Sequence, residues 1–179
     1  MSDFTLTLVP AVADCPAPQQ QAAAVLHWLI ANQIVSPVAT LCTLGPQLGY
    51  APAAGALLVS PLPQLLPFNL AVNGLEIIVG RQVFDSGGWD LTLVRCPACQ
   101  KNIVDSEWDL TPWANQENDL LSCPQCGSAS AVQAYTFEPA WGFSNLGLRF
   151  WNWPPFTAQF LAQAARIIGQ PLTVVQQRI

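Results

Sequence analysis

The sequence predicts an α+β fold: a two-layer sandwich of two strand–helix–strand units, with a small metal-stapled hairpin inserted between them. Three observations carry that expectation. Both ends of the chain read strand, helix, strand from the spacing of their apolar residues. Between them stand two Cys-x-x-Cys pairs, Cys96-Pro97-Ala98-Cys99 and Cys123-Pro124-Gln125-Cys126. The chain of 179 residues is also long enough for one full core and a small added module. The expected division is a discontinuous core domain, 1–88 and 138–179, around an insert over 89–137.

Phe4 to Val9 alternates apolar and polar residues, which predicts a half-buried strand. A helix is expected from Pro18 to Gln33, with Ala22, Val25, Leu26, Leu29 and Ile30 on one face. Ser36-Pro37 should end it, and Val38 to Thr43 reads as a second strand. The tract from Gly45 to Gly74 contains Pro46, Pro52, Pro61, Pro63 and Pro67 and no formal charge, so an irregular connection is expected. Its Leu57, Leu58, Leu65, Leu66 and Phe68 are too apolar for a free linker. They either lid the core or offer a partner a docking edge.

Leu75 to Val83 reads as a strand after the turn signal Asn73-Gly74. Trp89 to Arg95 and Ala131 to Phe137 are expected to pair antiparallel and frame the cysteines. Glu138 to Gly147 reads as a loop, Leu148 to Trp151 as a strand, and Pro154-Pro155 as the opening of a last helix. Phe156, Phe160, Leu161, Ala164, Ile167 and Ile168 form its core face, and Gly169 stands where a helix stop belongs. Leu172 to Val175 completes the set. Two such units sharing one sheet, with both helices on one face, make a ferredoxin-like arrangement.

Charge narrows the function classes. Charged residues make up 9% of the chain, against a usual ~25%, and 11 carboxylates face 6 Lys and Arg. No basic stripe is present to displace counterions from phosphates, so neither a nucleic acid nor an anionic membrane surface is an expected partner. No charged residue falls between Cys15 and Leu75. The first residues lack a basic segment followed by an apolar core, so no secretory leader is expected, and no apolar run is long enough for a spanning helix.

Four thiols in two pairs suit one tetrahedral ion. Four thiolates close the coordination shell of a divalent zinc and leave no place for water, so one structural zinc is expected on Cys96, Cys99, Cys123 and Cys126. Paired thiols also suggest a reducing compartment, and so the cytoplasm. Two redox dithiols or an iron site are the rival readings. Asp105, Glu107, Asp109, Glu117 and Asp119 lie between the pairs against Lys101 alone, which makes the insert an acidic knob. The first three, alternating along an expected short strand, could line a second metal site, but a solvated acidic edge is the simpler reading.

Trp108 and Trp113 are expected to pack over the cysteines, or else to serve as binding anchors. Trp141, Phe143, Phe150, Trp151, Trp153 and Phe156 read as a second aromatic cluster at a strand-to-helix corner. Trp151 and Trp153, two apart, should face the same way. That cluster is either packed or the wall of a ligand pocket. His27, the one histidine, could pair with Cys15 or Cys42, although a partly buried helical histidine and two buried thiols are the simpler readings. No catalytic residue is assigned. Phosphate-loop, dinucleotide, zinc-protease and serine-hydrolase motifs are all absent from the sequence.

Over residues 96–126 the two cysteine pairs resemble the zinc-ribbon superfamily. That resemblance implies a bound metal and no particular activity. More loosely, the corner Phe150-Trp151-Asn152-Trp153-Pro154-Pro155, the helix after it and the ribbon upstream resemble a family of small, uncharacterised bacterial proteins. This second resemblance implies a bacterial cytosolic protein and carries no catalytic residues. The expected function is non-enzymatic: a zinc-stabilised adaptor or self-associating protein that docks a protein partner or its own copy. Candidate surfaces are Leu57, Leu58, Leu65, Leu66 and Phe68, with Trp141, Trp151 and Trp153. The alternative is a small-molecule binder or enzyme with a pocket at Trp141–Trp153. A nucleic-acid ribbon is disfavoured by charge.

Overall fold

A computed structural model describes residues 3–179. It is a mixed α/β structure with antiparallel sheets and three α-helices. The strands are β1 (Phe4–Pro10), β2 (Val35–Thr40), β3 (Gly49–Pro52), β4 (Leu75–Phe84), β5 (Leu93–Arg95), β6 (Leu120–Ser122), β7 (Ala129–Ala131), β8 (Thr136–Glu138), β9 (Gly142–Trp151) and β10 (Leu172–Arg178). The helices are α1 (Pro18–Ala31), α2 (Thr111–Ala114) and α3 (Ala158–Ile168). Six strands form the main sheet, in the order β10-β1-β9-β4-β3-β2.

Alternation explains how the sheet packs. Leu6 and Leu8 of β1, Leu75 and Ile77 of β4, and Leu146, Leu148 and Phe150 of β9 share one core with Val25 and Leu29 of α1 and Phe160, Ala164 and Ile168 of α3. Their neighbours on the other face include Thr5, Thr7, Glu76 and Trp151, all buried although three are polar. There the Trp151 indole N–H donates to Glu76 Oε2 at 3.1 Å, and Arg149 Nη1 reaches the same oxygen at 3.4 Å.

Several boundaries differ from the sequence expectation. The second strand starts at Val35 and contains Pro37, which an edge strand tolerates. The strand before the corner starts at Gly142 rather than Leu148, because the pairing of β9 with β4 runs from Phe150↔Leu75 to Gly142↔Phe84. That register shifts between Val79 and Gln82, at Gly80, whose φ of 129 suits glycine alone. The last helix begins at Ala158, after two prolines in extended backbone, with Thr157 Oγ1 accepting from the Phe160 N–H as its cap. Gly169, with φ 76, ends it as expected.

The register also gives the sheet two distinct ends. β1 and β4 begin, and β9 finishes, at one end; β4 finishes and β9 begins at the other. Segment 85–141 leaves β4 and rejoins β9 at the second end, although its first residues run back to the end of β10, where the Gly88 N–H donates to the Arg178 carbonyl and the Arg178 N–H to the Ser86 carbonyl. Segment 53–73 is tied to the first: the Thr157 N–H donates to the Val59 carbonyl, Ser60 Oγ donates to the Pro155 carbonyl, and Trp153 Nε1 donates to the Asn73 carbonyl.

Candidate metal centre and apolar groove

Each cysteine pair is a tight backbone turn, and the two turns are alike. The Gln100 N–H donates to the Cys96 carbonyl at 3.0 Å, and the Gly127 N–H to the Cys123 carbonyl at 2.8 Å. Both donors have positive φ, 62 at Gln100 and 73 at Gly127, which turns the chain back after the second thiol. The turns are held in place by two short ladders, β5 with β8 and β6 with β7. The expected longer strands are cut short, since 89–92 lies outside β5 and residues 132–134 form a 3-10 turn. Asp105, Glu107 and Asp109 lie in turns and open coil and share no strand face.

The four sulfurs converge. All lie within 4.8 Å of one another, with Cys96 to Cys126 at 3.9 Å and Cys99 to Cys123 at 3.8 Å. Tetrahedral ligands on bonds of ~2.3 Å stand ~3.8 Å apart, so the group has the dimensions to hold a metal ion. Local donors favour thiolates. The hydroxyl and backbone N–H of Ser128 pull Cys126 down to about 6, and the Cys99 N–H lowers Cys96. The Lys101 N–H acts likewise on Cys99, but burial and the neighbouring sulfurs push that thiol up to about 11. Mutual repulsion of this kind is what a central cation removes.

The centre sits on a second core. Cys96 and Cys123 pack with Ile103, Trp113, Leu121, Tyr135, Phe137 and Phe143. Tyr135 donates its hydroxyl to the Leu121 carbonyl at 2.9 Å. Arg81, on β4 within the register shift, ties this core to the main sheet. Its Nε donates to the Trp113 carbonyl at 3.0 Å, and its other nitrogens pair with Asp14 and Asp119. Nothing in the sequence marked Arg81 as more than one of a few scattered arginines.

The expected aromatic cluster is divided. Trp141 and Phe143 join the metal-side core, with the Trp141 ring stacked on Phe137. Phe150, Trp153 and Phe156 belong to the helix-side core. Trp151 and Trp153 face opposite ways because Asn152 between them has φ 61, which breaks the extended run. Asn152 earns that conformation by bonding: its Oδ1 accepts from the Phe4 N–H, and its Nδ2 donates to Asp3 and to the Val72 carbonyl.

Of the candidate surface residues, Leu66, Trp151 and Trp153 are buried, whereas Leu57, Leu58, Leu65 and Phe68 are exposed. The exposed tract and the corner meet in a groove of about 580 Å³, where Leu65, Leu70 and Val72 face Phe4, Leu6, Trp153 and Pro154. Asp3, Asn152 and Gln176 are its polar members. This groove lies at Trp153; Trp141 lines a separate, smaller cavity of about 240 Å³ with Tyr135, Phe137 and Phe143. His27 is exposed on α1, and Cys15 and Cys42 are buried; burial raises the Cys15 thiol, which suits an inert side chain. Among the described residues no helix is long and apolar enough to cross a membrane. Compared with models of known protein families, curated proteins and solved structures, the chain gives no match.

Proposed function

We propose that this chain is a non-enzymatic, zinc-stapled interaction protein that docks a protein partner through its uncharged end. The observation that carries this reading is the meeting of Leu65 and Leu70, from a segment that also exposes Leu57, Leu58 and Phe68, with the Trp153-Pro154 corner in one apolar groove. Exposed apolar area concentrated in this way is a mark of association surfaces. Zinc is the ion that an all-thiolate, closed tetrahedral shell suits, and its role is to hold segment 89–137 folded as a zinc ribbon. The strand order β10-β1-β9-β4, with α1 and α3 each following a strand of that set, supports reading the rest as a ferredoxin-like core extended by β2 and β3. Six unbridged cysteines fit a reducing cytoplasm.

A pulldown on the immobilised chain tests this reading. A stoichiometric partner should be retained by the wild type and lost on Leu65→Asp with Leu70→Asp. Retention by the double variant would overturn the assignment of the surface. The groove volume of about 580 Å³ supports a second reading, a small apolar ligand. Native mass spectrometry would then find a bound small molecule, displaced by the same substitutions.

A further inference from the structure

We infer that the partner at the uncharged end is a second copy of this chain, joined face to face about a two-fold axis. The inference rests on the interaction reading above and names its partner.

Charge distribution is the first argument. The chain carries a net charge of −5, so two copies repel wherever their carboxylates approach. Those carboxylates are unevenly placed. Asp105, Glu107, Asp109, Glu117 and Asp119 all lie in segment 85–141, which joins the sheet at the end where β4 finishes. The opposite end is built from segment 53–73, which lies wholly inside the charge-free stretch from Cys15 to Leu75. Three carboxylates lie near this end and each is engaged: Asp3, at the rim of the groove, by Asn152 Nδ2 at 2.8 Å, Glu76 by Arg149, and Asp85 by Gln177 Nε2 at 2.9 Å. Apposing the two uncharged ends therefore carries the acidic inserts to the far poles of the pair. A strongly basic partner gains nothing at this end, because there is little negative charge for it to meet.

Area is the second argument. Leu57, Leu58, Leu62, Leu65, Phe68 and Leu70 are exposed by 48%, 84%, 37%, 58%, 43% and 43%. Together they present on the order of 600 Å² along segment 53–73, Leu65 and Leu70 in the groove and Leu58 at the hollow beside Trp28 and Phe160, against the ~800 Å² that each partner buries in a standard interface. The rim of the groove supplies the rest. A two-fold contact is self-complementary, so exposed leucines of segment 53–73 of one copy, Leu62 among them, enter the groove of the other beside Leu65, Leu70 and Pro154. The free sheet edge at β2 is a poorer route. Pro37 removes a donor there, and the Val38 N–H is taken by Ser36 Oγ at 3.2 Å.

Sedimentation velocity on the metal-loaded chain, over a dilution series up to ~100 µM, tests the inference. The expected species has twice the 19.3 kDa of one chain, and raising the salt should not dissociate it. Leu58→Glu and Leu65→Glu, both at exposed positions, should each weaken dimerisation at least ~30-fold while leaving the circular dichroism spectrum unchanged. Leu120→Glu, at an exposed position on the acidic insert, should leave it intact. A monomer throughout the series overturns the inference. If that monomer still retains a foreign partner that Leu65→Asp with Leu70→Asp loses, the interaction reading survives without it. A dimer indifferent to Leu58→Glu and Leu65→Glu also overturns it.

Discussion

The guanidinium carbon of Arg81 lies 4.1 Å from the centre of the Trp113 ring. This contact joins the middle of β4 to the metal-side core. The Arg81 side chain is 5% exposed, so its stacking and its bond to the Trp113 carbonyl are shielded from water. Its ion partners are mostly exposed, with Asp14 at 64% and Asp119 at 55%, and salt bridges of that kind add little. Arg81→Ala should therefore destabilise the protein by about 2–3 kcal/mol, chiefly through Trp113. Asp14→Asn should cost less than ~1 kcal/mol. Urea unfolding of both variants checks the order; equal losses would mean that the ion pairs dominate.

Metal removal should act locally. Segment 89–137 has short ladders and a small core that includes two of the four cysteines, whereas the main sheet has a larger core free of them. The purified chain should carry about one zinc. A chelator, or Cys99→Ser, should abolish amide protection in the insert and leave β1, β4 and β9 protected. Global unfolding under chelation would show that the sheet relies on the insert.

Trp153 fills the centre of the helix-side core, with its indole N–H on the Asn73 carbonyl at 2.7 Å. Trp153→Phe leaves that carbonyl unpartnered and opens a small void, at a cost of about 2–4 kcal/mol. Because Asn73 anchors segment 53–73, the variant should also show faster proteolysis between Leu57 and Leu70. A change in stability without new cleavage there would refute the anchoring role.

Burial and the nearby sulfurs hold the Tyr135 phenol above its ordinary value of 10.0. The unfolded chain thus releases this proton before the folded one does. The stabilisation is complete below pH ~10 and is lost progressively as the pH rises above that value. Tyr135→Phe forfeits the bond to Leu121, about 1 kcal/mol at neutral pH, but escapes the alkaline loss. Urea midpoints of the two proteins should converge as the pH is raised; parallel curves would refute the assignment.

Local patterns in the chain announced much of this architecture. The alternation at Phe4–Val9, the apolar stripe of α1, Gly169 and the paired cysteines each encode their structure within a few residues, and each stands where expected. Long-range contacts were not legible. The length of β9 is set by its partner β4 across the whole insert, so Gly142 to Gly147 looked like a loop in isolation. The opposed directions of Trp151 and Trp153 depend on Asn152 finding Asp3, Phe4 and Val72, far away in sequence. Leu70 and Leu6 gave no sign of meeting until the fold brought them to one groove.

The uneven placement of charge has a consequence for encounter kinetics. Eight of the eleven carboxylates lie in segment 85–141, against Arg95 and Lys101 alone, so the negative charge is concentrated on that segment. Ten residues of strand span ~33 Å, several Debye lengths at physiological ionic strength. Any negatively charged body in solution, another copy included, therefore meets its strongest repulsion at that segment. Within about a Debye length, the groove is the face that meets least repulsion, so close encounters through it persist long enough for the apolar contacts to form.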